Sequence, residues 1–130
     1  RSYLERAARK AISDGVASTL AGRRYWFVDM RREGKDPGTM NRVAKNMPIQ
    51  GTNADMVKLA MARVVRAFAE EKLDAFLVNM VHDELVVETA EGAAEAAQEI
   101  LVREMMAAGA ELVRSVPMPV DVACAEGWSK

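Results

Sequence analysis

AFLVNMVHDELVVET, residues 75–89, is the stretch that decides the fold, because two strand-forming runs flank one short polar triplet. Residues 75–82 and 84–89 are rich in β-branched and other apolar residues, and His82-Asp83-Glu84 lies where they meet. This pattern predicts an antiparallel hairpin with a tight turn. Alternation along the first strand places Asp83 on the face that carries Asn79, with His82 on the opposite face. The hairpin therefore supplies a rigid support for a carboxylate at its tip.

Helical patterns surround this hairpin. Residues 3–14 have apolar spacing typical of a helix that ends at Gly15. From Thr52 onward a second apolar stripe predicts the clearest helix of the chain, with Thr52 and Asp55 at the spacing of a capping box. Residues 91–114 return to the helical period.

The remaining segments read as strands and loops. Residues 16–30 predict two short extended runs joined around Ala21-Gly22, and residues 32–38 predict a loop. Thr39 is expected to cap a following turn, which Pro48 interrupts. Residues 116–125 predict a last strand at a sheet edge. These elements together indicate an α+β fold, an antiparallel sheet with a central β-hairpin packed by helices on one face.

Composition limits the class of protein. The chain has 130 residues, half of them hydrophobic, which fits one compact domain or a piece of a larger one. The only cysteine, Cys124, excludes an internal disulfide and is expected to be a buried small hydrophobe in a reducing compartment. No apolar run approaches the roughly 18 residues of a membrane span. A secretory signal pattern is also missing, so we predict a cytoplasmic protein.

Charge is distributed unevenly along the chain, although the net charge is only −1. Residues 1–45 hold 11 Lys and Arg against 5 Asp and Glu, whereas residues 46–130 hold 7 against 14. A basic first third is suited to phosphates and an acidic remainder to cations. An ordinary solvated helix surface gives the same distribution, so charge alone leaves both interpretations open.

The His82-Asp83-Glu84 triplet has several chemical interpretations. Asp83 at a hairpin tip can hold a hard cation such as Mg²⁺, with Glu84 beside it, but a second aspartate from elsewhere is needed to complete the site. An acidic turn with a hydrogen-bonded histidine is the simpler alternative. One histidine and one distant cysteine do not make a zinc site. A serine hydrolase is a poor fit because no serine lies in a glycine-framed elbow.

A second set of polar residues lies in RVAKNMPIQG, residues 42–51. Arg42, Asn46 and Gln50 follow at four-residue intervals, so they share one face if the backbone stays helical past Pro48. Guanidinium and amide groups can hydrogen-bond phosphates, sugars and the acceptors of the minor groove with little sequence preference. A solvated helix face is the alternative.

The two sets together resemble a known family. TLAGRR at residues 19–24, NMPIQGTNADMVKLAM at 46–61, VHDELV at 81–86 and VPMPVDV at 116–122 resemble the C-terminal fingers and palm region of family A (polymerase I type) DNA polymerases. The resemblance covers nearly the whole chain. It implies a fingers remnant at residues 1–38 and the C-terminal part of the palm at 39–130.

The resemblance also implies roles for single residues. Asp83 looks like one of two metal-binding aspartates of the palm, Glu84 like the accompanying carboxylate, and His82 like a histidine that supports the primer end. Arg42, Asn46 and Gln50 look like the polar stripe that contacts primer and template. Arg23 and Arg24 resemble a basic patch that meets the template backbone. The implied cofactor is Mg²⁺ in a two-metal site, and the implied partners are primer–template DNA and deoxynucleoside triphosphates.

The first metal-binding aspartate and a lysine-bearing fingers helix lie upstream of the matching region in this family. We therefore expect the chain to be part of a longer or split polymerase, to need that upstream portion and to be inactive alone. Two other functions stay open: a non-catalytic DNA-binding module of the same fold, and a metal-dependent nuclease. The nuclease needs more carboxylates near Asp83, for which Glu88 and Asp121 are the sheet candidates.

Overall fold

A computed structural model describes residues 2–34 and 36–128 of the chain, which divide into two compact units. The first unit extends to Asp55 and the second begins at Met56. The first contains α1 (Ser2–Asp14), β1 (Val16–Ser18), β2 (Arg24–Trp26), α2 (Val28–Arg32), α3 (Pro37–Asn46) and a π-helical turn (Met47–Gly51). The predicted functional boundary at residue 38 stays a prediction.

The start of the chain follows the sequence pattern closely. α1 ends at Asp14, and Gly15 has a φ of +76°, a left-handed conformation that glycine adopts without strain. β1 and β2 pair antiparallel, with Ala17 opposite Tyr25, which confirms the predicted hairpin. The second extended run is shorter than predicted, because Phe27 and Met30 are both buried and their three-residue spacing suits the helix α2.

α3 is capped by Asp36 and not by Thr39, which corrects the sequence-based expectation. The Asp36 carboxylate accepts hydrogen bonds from the backbone N–H groups of Gly38 (2.6 Å) and Thr39 (3.1 Å), and Pro37 takes the first helical position. The hydrogen bond from the Thr39 hydroxyl, followed by the two backbone bonds, lowers the pKa of Asp36. The predicted loop is correspondingly shorter, and Lys35 within it lies outside the described residues.

Pro48 does not interrupt the helix, because the backbone continues through the π-helical turn into α4 (Thr52–Glu70). Proline lacks the N–H of a normal helical bond and its ring crowds the preceding turn, and the wider π turn accommodates both effects. Thr52 is therefore an interior residue and not the start of a capping box. Its hydroxyl donates to the Pro48 carbonyl (2.6 Å) and accepts from the Leu20 N–H (3.0 Å).

The core of the first unit is formed by residues from the helices and both sides of the hairpin. Its buried members are Ala8, Ala11, Ala17, Phe27, Met30, Met40, Ala44 and Met47. Three methionines fill the space around Phe27, which is completely buried. The α3 helix is held against this core through Met40 and Ala44, so its opposite face is left for solvent.

The second unit contains most of α4, then β3 (Ala75–Val81), β4 (Glu84–Thr89), a 3₁₀ turn (Glu91–Ala93) and α5 (Ala94–Leu112). β3 and β4 pair antiparallel up to Val81 opposite Glu84, which confirms the central hairpin. The pairing shifts between Leu77 and Asn79, so Val78 forms a bulge. Simple alternation predicts Leu77 and Asn79 on one face, but the bulge reverses the alternation, so the two residues face opposite sides.

Helices cover one face of this hairpin. Ala75, Leu85 and Val87 pack against α4 and α5 in a core whose other main members are Val64, Ala67, Phe68, Ala97, Ile100 and Leu101. Phe76, on the other face, is 62% exposed. The predicted α+β class, with an antiparallel hairpin packed by helices on one face, is confirmed.

Charged side chains join α4 to α5 beside this core. Glu104 accepts from Arg63 Nε (3.0 Å) and from Arg103 Nε (2.9 Å), and Arg103 also donates to Glu71 (2.8 Å). The Arg103 hydrogen bond is the largest influence on Glu104, and together with Arg63 it lowers the pKa of that carboxyl. Arg103 and Glu104 are neighbours on α5, so it is the bond from Arg63 to Glu104, whose side chain is only 13% exposed, that links α4 to α5.

The segment after α5 departs from expectation. Residues 116–125 form no strand within the described part of the chain, where the two sheets are β1–β2 and β3–β4. A strand needs a hydrogen-bonded neighbour, and this run finds none there. Cys124 is exposed, which corrects the expectation of a buried thiol. Among the described helices, none is long and apolar enough to cross a membrane.

Candidate nucleic-acid interface and metal-binding turn

The β3–β4 turn has two central residues, His82 and Asp83, between the paired Val81 and Glu84. His82 has a φ of +56°, a value that is uncommon outside glycine and that histidine tolerates better than most residues. Positive φ at the first central residue is typical of the type II′ hairpin turn. His82, Asp83 and Glu84 are all exposed. The turn thus presents three polar side chains to solvent from a hairpin that the core holds in place.

Asp83 and Glu84 fit part of a magnesium site. Their carboxylates are hard oxygen ligands, and bound Mg²⁺ commonly takes one or two protein carboxylates and completes its shell with water and substrate phosphates. Within residues 2–34 and 36–128, no group of three or more His, Cys, Asp or Glu side chains is placed to hold a metal. Neither Glu88 nor Asp121 therefore joins Asp83 in a three-residue cluster, and the nuclease alternative gains no support.

The polar stripe, Arg42, Asn46 and Gln50, lies along α3 and the π-helical turn. The backbone is helical from Pro37 through Gly51, which meets the condition that the sequence interpretation set. All three side chains are exposed. Arg42 Nη2 donates to Thr39 Oγ1 (3.0 Å), whereas the side chains of Asn46 and Gln50 form no hydrogen bond to any described residue. Two amide groups are therefore available to an external ligand.

The Arg23 guanidinium is hydrogen-bonded within the chain, which is unexpected for a residue predicted to contact the template. Its Nε donates to Asp55 Oδ1 (2.7 Å) and its Nη2 donates to the Gly51 carbonyl (2.9 Å). The Asp55 side chain is only 12% exposed, whereas that of Arg23 is 46% exposed. These bonds, with the Thr52–Leu20 bond, form what we call the ribbon clamp: they hold the β1–β2 turn against the start of α4.

Sequence reasoning missed Asp55 and Gly51 as members of this clamp. The spacing of Asp55 from Thr52 predicts a capping role, and no local pattern indicates a partner 32 residues away. Gly51 is also closely surrounded. A Cβ added there would lie 2.7 Å from Thr19 Cγ2 and 3.1 Å from Met47 Sδ.

Arg24, the second arginine of the pair, is placed differently. It lies on β2 opposite Ser18, is exposed, and forms no hydrogen bond or ion pair with the described residues. Its guanidinium is therefore available to a phosphate. The DNA contact predicted for both arginines remains a prediction.

Comparison with known proteins gives one consistent result. The family model described as DNA polymerase family A matches residues 1–130. Relatives named DNA polymerase I include those of Chloroflexus aurantiacus, 36% identical over 100% of this chain, and Mycobacterium tuberculosis, 36% identical over 98% of it. The Aquifex aeolicus DNA polymerase I is 40% identical over 86% of the chain.

A solved structure agrees with these matches. The polymerase domain of Pol1 from M. smegmatis, in complex with DNA primer-template and dNTP, superposes with a TM-score of 0.74 at 32% identity. The match covers 83% of this chain and 19% of that one. The chain belongs to DNA polymerase family A. It spans 14% of the length of the Chloroflexus and Mycobacterium relatives and 18% of the Aquifex one.

Proposed function

We propose that the chain is part of a template-directed DNA polymerase, a nucleotidyltransferase. In this proposal Asp83 is a metal-binding carboxylate and the polar stripe contacts primer and template. One observation carries it: in a chain that matches the family from end to end, Asp83 occupies the exposed tip of a two-residue turn on a packed hairpin. Residues 1–38 would then belong to the fingers and residues 39–130 to the palm.

The residues of the turn have distinct parts in this function. Asp83 would hold Mg²⁺ with Glu84 as an auxiliary carboxylate, and His82 would support the primer end. Mg²⁺ held by Asp83 and Glu84 would supply Lewis-acid and charge-neutralising chemistry for nucleotidyl transfer. The positive φ of His82 fixes the direction of the turn, which supports a defined position for Asp83.

The polar stripe would recognise the duplex without reading its sequence. Asn46 and Gln50 can donate to the acceptors that every base pair presents in the minor groove, and Arg42 can donate to a phosphate. Their free amides and their exposure support this role. Arg24 is the better supported of the two arginines for a template phosphate, because the Arg23 guanidinium is held by the ribbon clamp.

The chain would not perform the reaction alone. It spans 14% of the length of the Chloroflexus relative, and the first metal-binding aspartate that the family resemblance implies lies upstream of the matching region. We propose that its partners are primer–template DNA, deoxynucleoside triphosphates and the upstream polymerase portion, and that it works in the cytoplasm. DNA replication and repair are the processes that such an enzyme serves.

A chimera tests this function directly. We expect that replacing the matching 129 residues of the M. tuberculosis DNA polymerase I with this chain gives a protein that extends a primer in the presence of Mg²⁺. D83N in the chimera should abolish most of the extension, because the metal would lose a charged ligand. The exposed carboxylate Glu88 on β4 provides the matched control, and E88Q should leave extension unchanged.

The alternatives predict other outcomes. A non-catalytic DNA-binding module gives no extension in the chimera, while the 130-residue chain binds primer–template equally well with and without D83N. A nuclease shortens the primer in a metal-dependent reaction that D83N abolishes. Primer extension by the 130-residue chain alone would contradict the proposal that it needs the upstream portion.

A further inference from the structure

The β1–β2 ribbon has one face in the core and one in solvent. Ala17 and Phe27 point inward, with Ala17 3% exposed and Phe27 fully buried. Tyr25 lies opposite Ala17 and is 39% exposed, and its ring packs edge-on against Phe27 with centroids 5.5 Å apart. Alternation then places Arg24 and Trp26 together on the outer face. Trp26 is 56% exposed, so a large aromatic ring lies open beside the Arg24 guanidinium, which pairs with no described residue.

The neighbours of these two side chains on the ribbon are small. Ser18 pairs with Arg24 and Val16 pairs with Trp26 across the two strands. Neither neighbour is large enough to cover an indole ring or a guanidinium plane. Residues two apart on a strand lie about 7 Å from each other, a separation that the base and the phosphate of one nucleotide can bridge. The outer face is thus a small platform with one stacking surface and one cation.

The ribbon clamp makes this platform rigid. Leu20 N–H donates to Thr52, and Arg23 donates to Asp55 and Gly51, so the ribbon turn is joined to the start of α4 at two places and to the end of the π-helical turn at a third. Because the ribbon is already ordered before binding, the entropic cost of binding a ligand is smaller. The two arginines therefore differ in role: the Arg23 guanidinium is bonded within the clamp, whereas the Arg24 guanidinium is accessible to a ligand.

We propose that Arg24 and Trp26 form a binding site for one unpaired nucleotide of single-stranded DNA, with the base stacked on Trp26 and a phosphate paired with Arg24. Stacking on an aromatic ring suits any base, and an adjacent cation follows the backbone. The excess of Lys and Arg in residues 1–45 favours a polyanion over an apolar partner. The proposal rests on the proposed polymerase function for the Arg24–phosphate contact and for the source of the ligand, the unpaired template, and it adds base stacking on Trp26.

Intrinsic fluorescence tests the site, because the chain has two tryptophans and W128F leaves Trp26 as the only reporter. We expect a 12-nucleotide oligo(dT) to quench Trp26 emission in the W128F chain, and a blunt duplex of equal length to quench it much less. Replacing Trp26 with Leu should weaken oligo(dT) binding roughly tenfold, measured by anisotropy of a labelled oligonucleotide. W26F, which keeps a ring, should lie between the two.

The charged part of the site has its own control. R24Q should weaken binding and reduce its dependence on salt, as expected when one phosphate contact is lost. R32Q changes another exposed arginine of the same unit and should alter binding less than R24Q does. Circular dichroism of each variant checks that the fold is intact, and the ring-retaining W26F keeps the test decisive if W26L is unfolded.

Three results would overturn the proposal. The first is equal oligo(dT) affinity of the parent and W26L, and the second is equal quenching by single-stranded and blunt DNA. The third is self-association of the parent chain that W26L abolishes without a change in oligo(dT) binding, which would assign the platform to a second copy. Q50A separates this site from the proposed polymerase function, because it should weaken duplex binding and leave oligo(dT) quenching of Trp26 unchanged.

Discussion

Gly51 provides the sharpest test of the packing in the first unit, because two opposing effects act at one position. In Gly51→Ala the new Cβ would lie 2.7 Å from Thr19 Cγ2, closer than such atoms approach in real structures, and 3.1 Å from Met47 Sδ. Thr19 is 6% exposed and its hydroxyl accepts from the Arg23 N–H. It is also β-branched, so rotation of its methyl group away from the new Cβ moves the hydroxyl as well.

The size of the effect follows from the balance of these terms. Inserting a methyl group into a packed site typically costs about 1–3 kcal/mol. Alanine in place of glycine in a helical segment recovers about 0.5–1 kcal/mol. We therefore expect Gly51→Ala to lower the free energy of unfolding by about 1–2 kcal/mol, which corresponds to a decrease in Tm of roughly 4–8 °C.

Gly92 supplies the matched control, because it lies in the 3₁₀ turn before α5 and a Cβ there would meet nothing within 4 Å. Gly92→Ala should leave Tm unchanged or raise it slightly. Thermal unfolding is followed by circular dichroism for the whole chain and by Trp26 fluorescence, in a W128F background, for the first unit. A rise in Tm for Gly51→Ala like that of Gly92→Ala would refute the packing described around Thr19.

Two further predictions concern the second unit. Glu104→Gln should lower the free energy of unfolding by about 1 kcal/mol at pH 7, because the charge-assisted bonds from Arg63 and Arg103 weaken. Since the folded-state pKa of Glu104 is lowered below 4.5, its stabilisation is present above that pH and is lost as pH falls through the folded-state value. The difference in free energy of unfolding between wild type and variant, measured by urea titration, should therefore shrink as the pH is lowered. A difference that stays constant with pH would contradict this prediction. At His82, with its φ of +56°, substitution by Gly should leave Tm nearly unchanged, whereas substitution by Val should lower it by several degrees; equal Tm values for the two variants would count against the positive φ.

The parts of the fold that follow from neighbouring residues were predictable. The central hairpin needs only two alternating runs and a short polar junction, and the end of α1 needs only Gly15 after an apolar stripe. The caps were not predictable in the same way. Thr39 and Thr52 have good capping chemistry, but Asp36 directly precedes Pro37, the first residue of α3, and the helix continues past Pro48.

In the candidate site, too, the features set by neighbouring residues were predictable and those set by distant residues were not. The exposure of Asp83 at the hairpin tip follows from a local pattern, and so does the shared helical stretch of Arg42, Asn46 and Gln50. The pairing of Arg23 with Asp55 depends on how a turn meets a helix 32 residues later, which spacing along the chain does not encode. The bulge at Val78 is a similar case, since no glycine or proline marks it.

The long reach of the ribbon clamp also bears on the order of folding. The β3–β4 hairpin joins residues that are close in sequence, so it can form early, whereas the clamp closes a loop of about 30 residues and needs the first turn of α4 to exist already. Contacts that form after the transition state affect mainly the rate of unfolding. Loosening the clamp, for example by Asp55→Asn, should therefore accelerate unfolding and leave the refolding rate nearly constant. The Arg23–Asp55 ion pair is then a determinant of the kinetic stability of the folded ribbon.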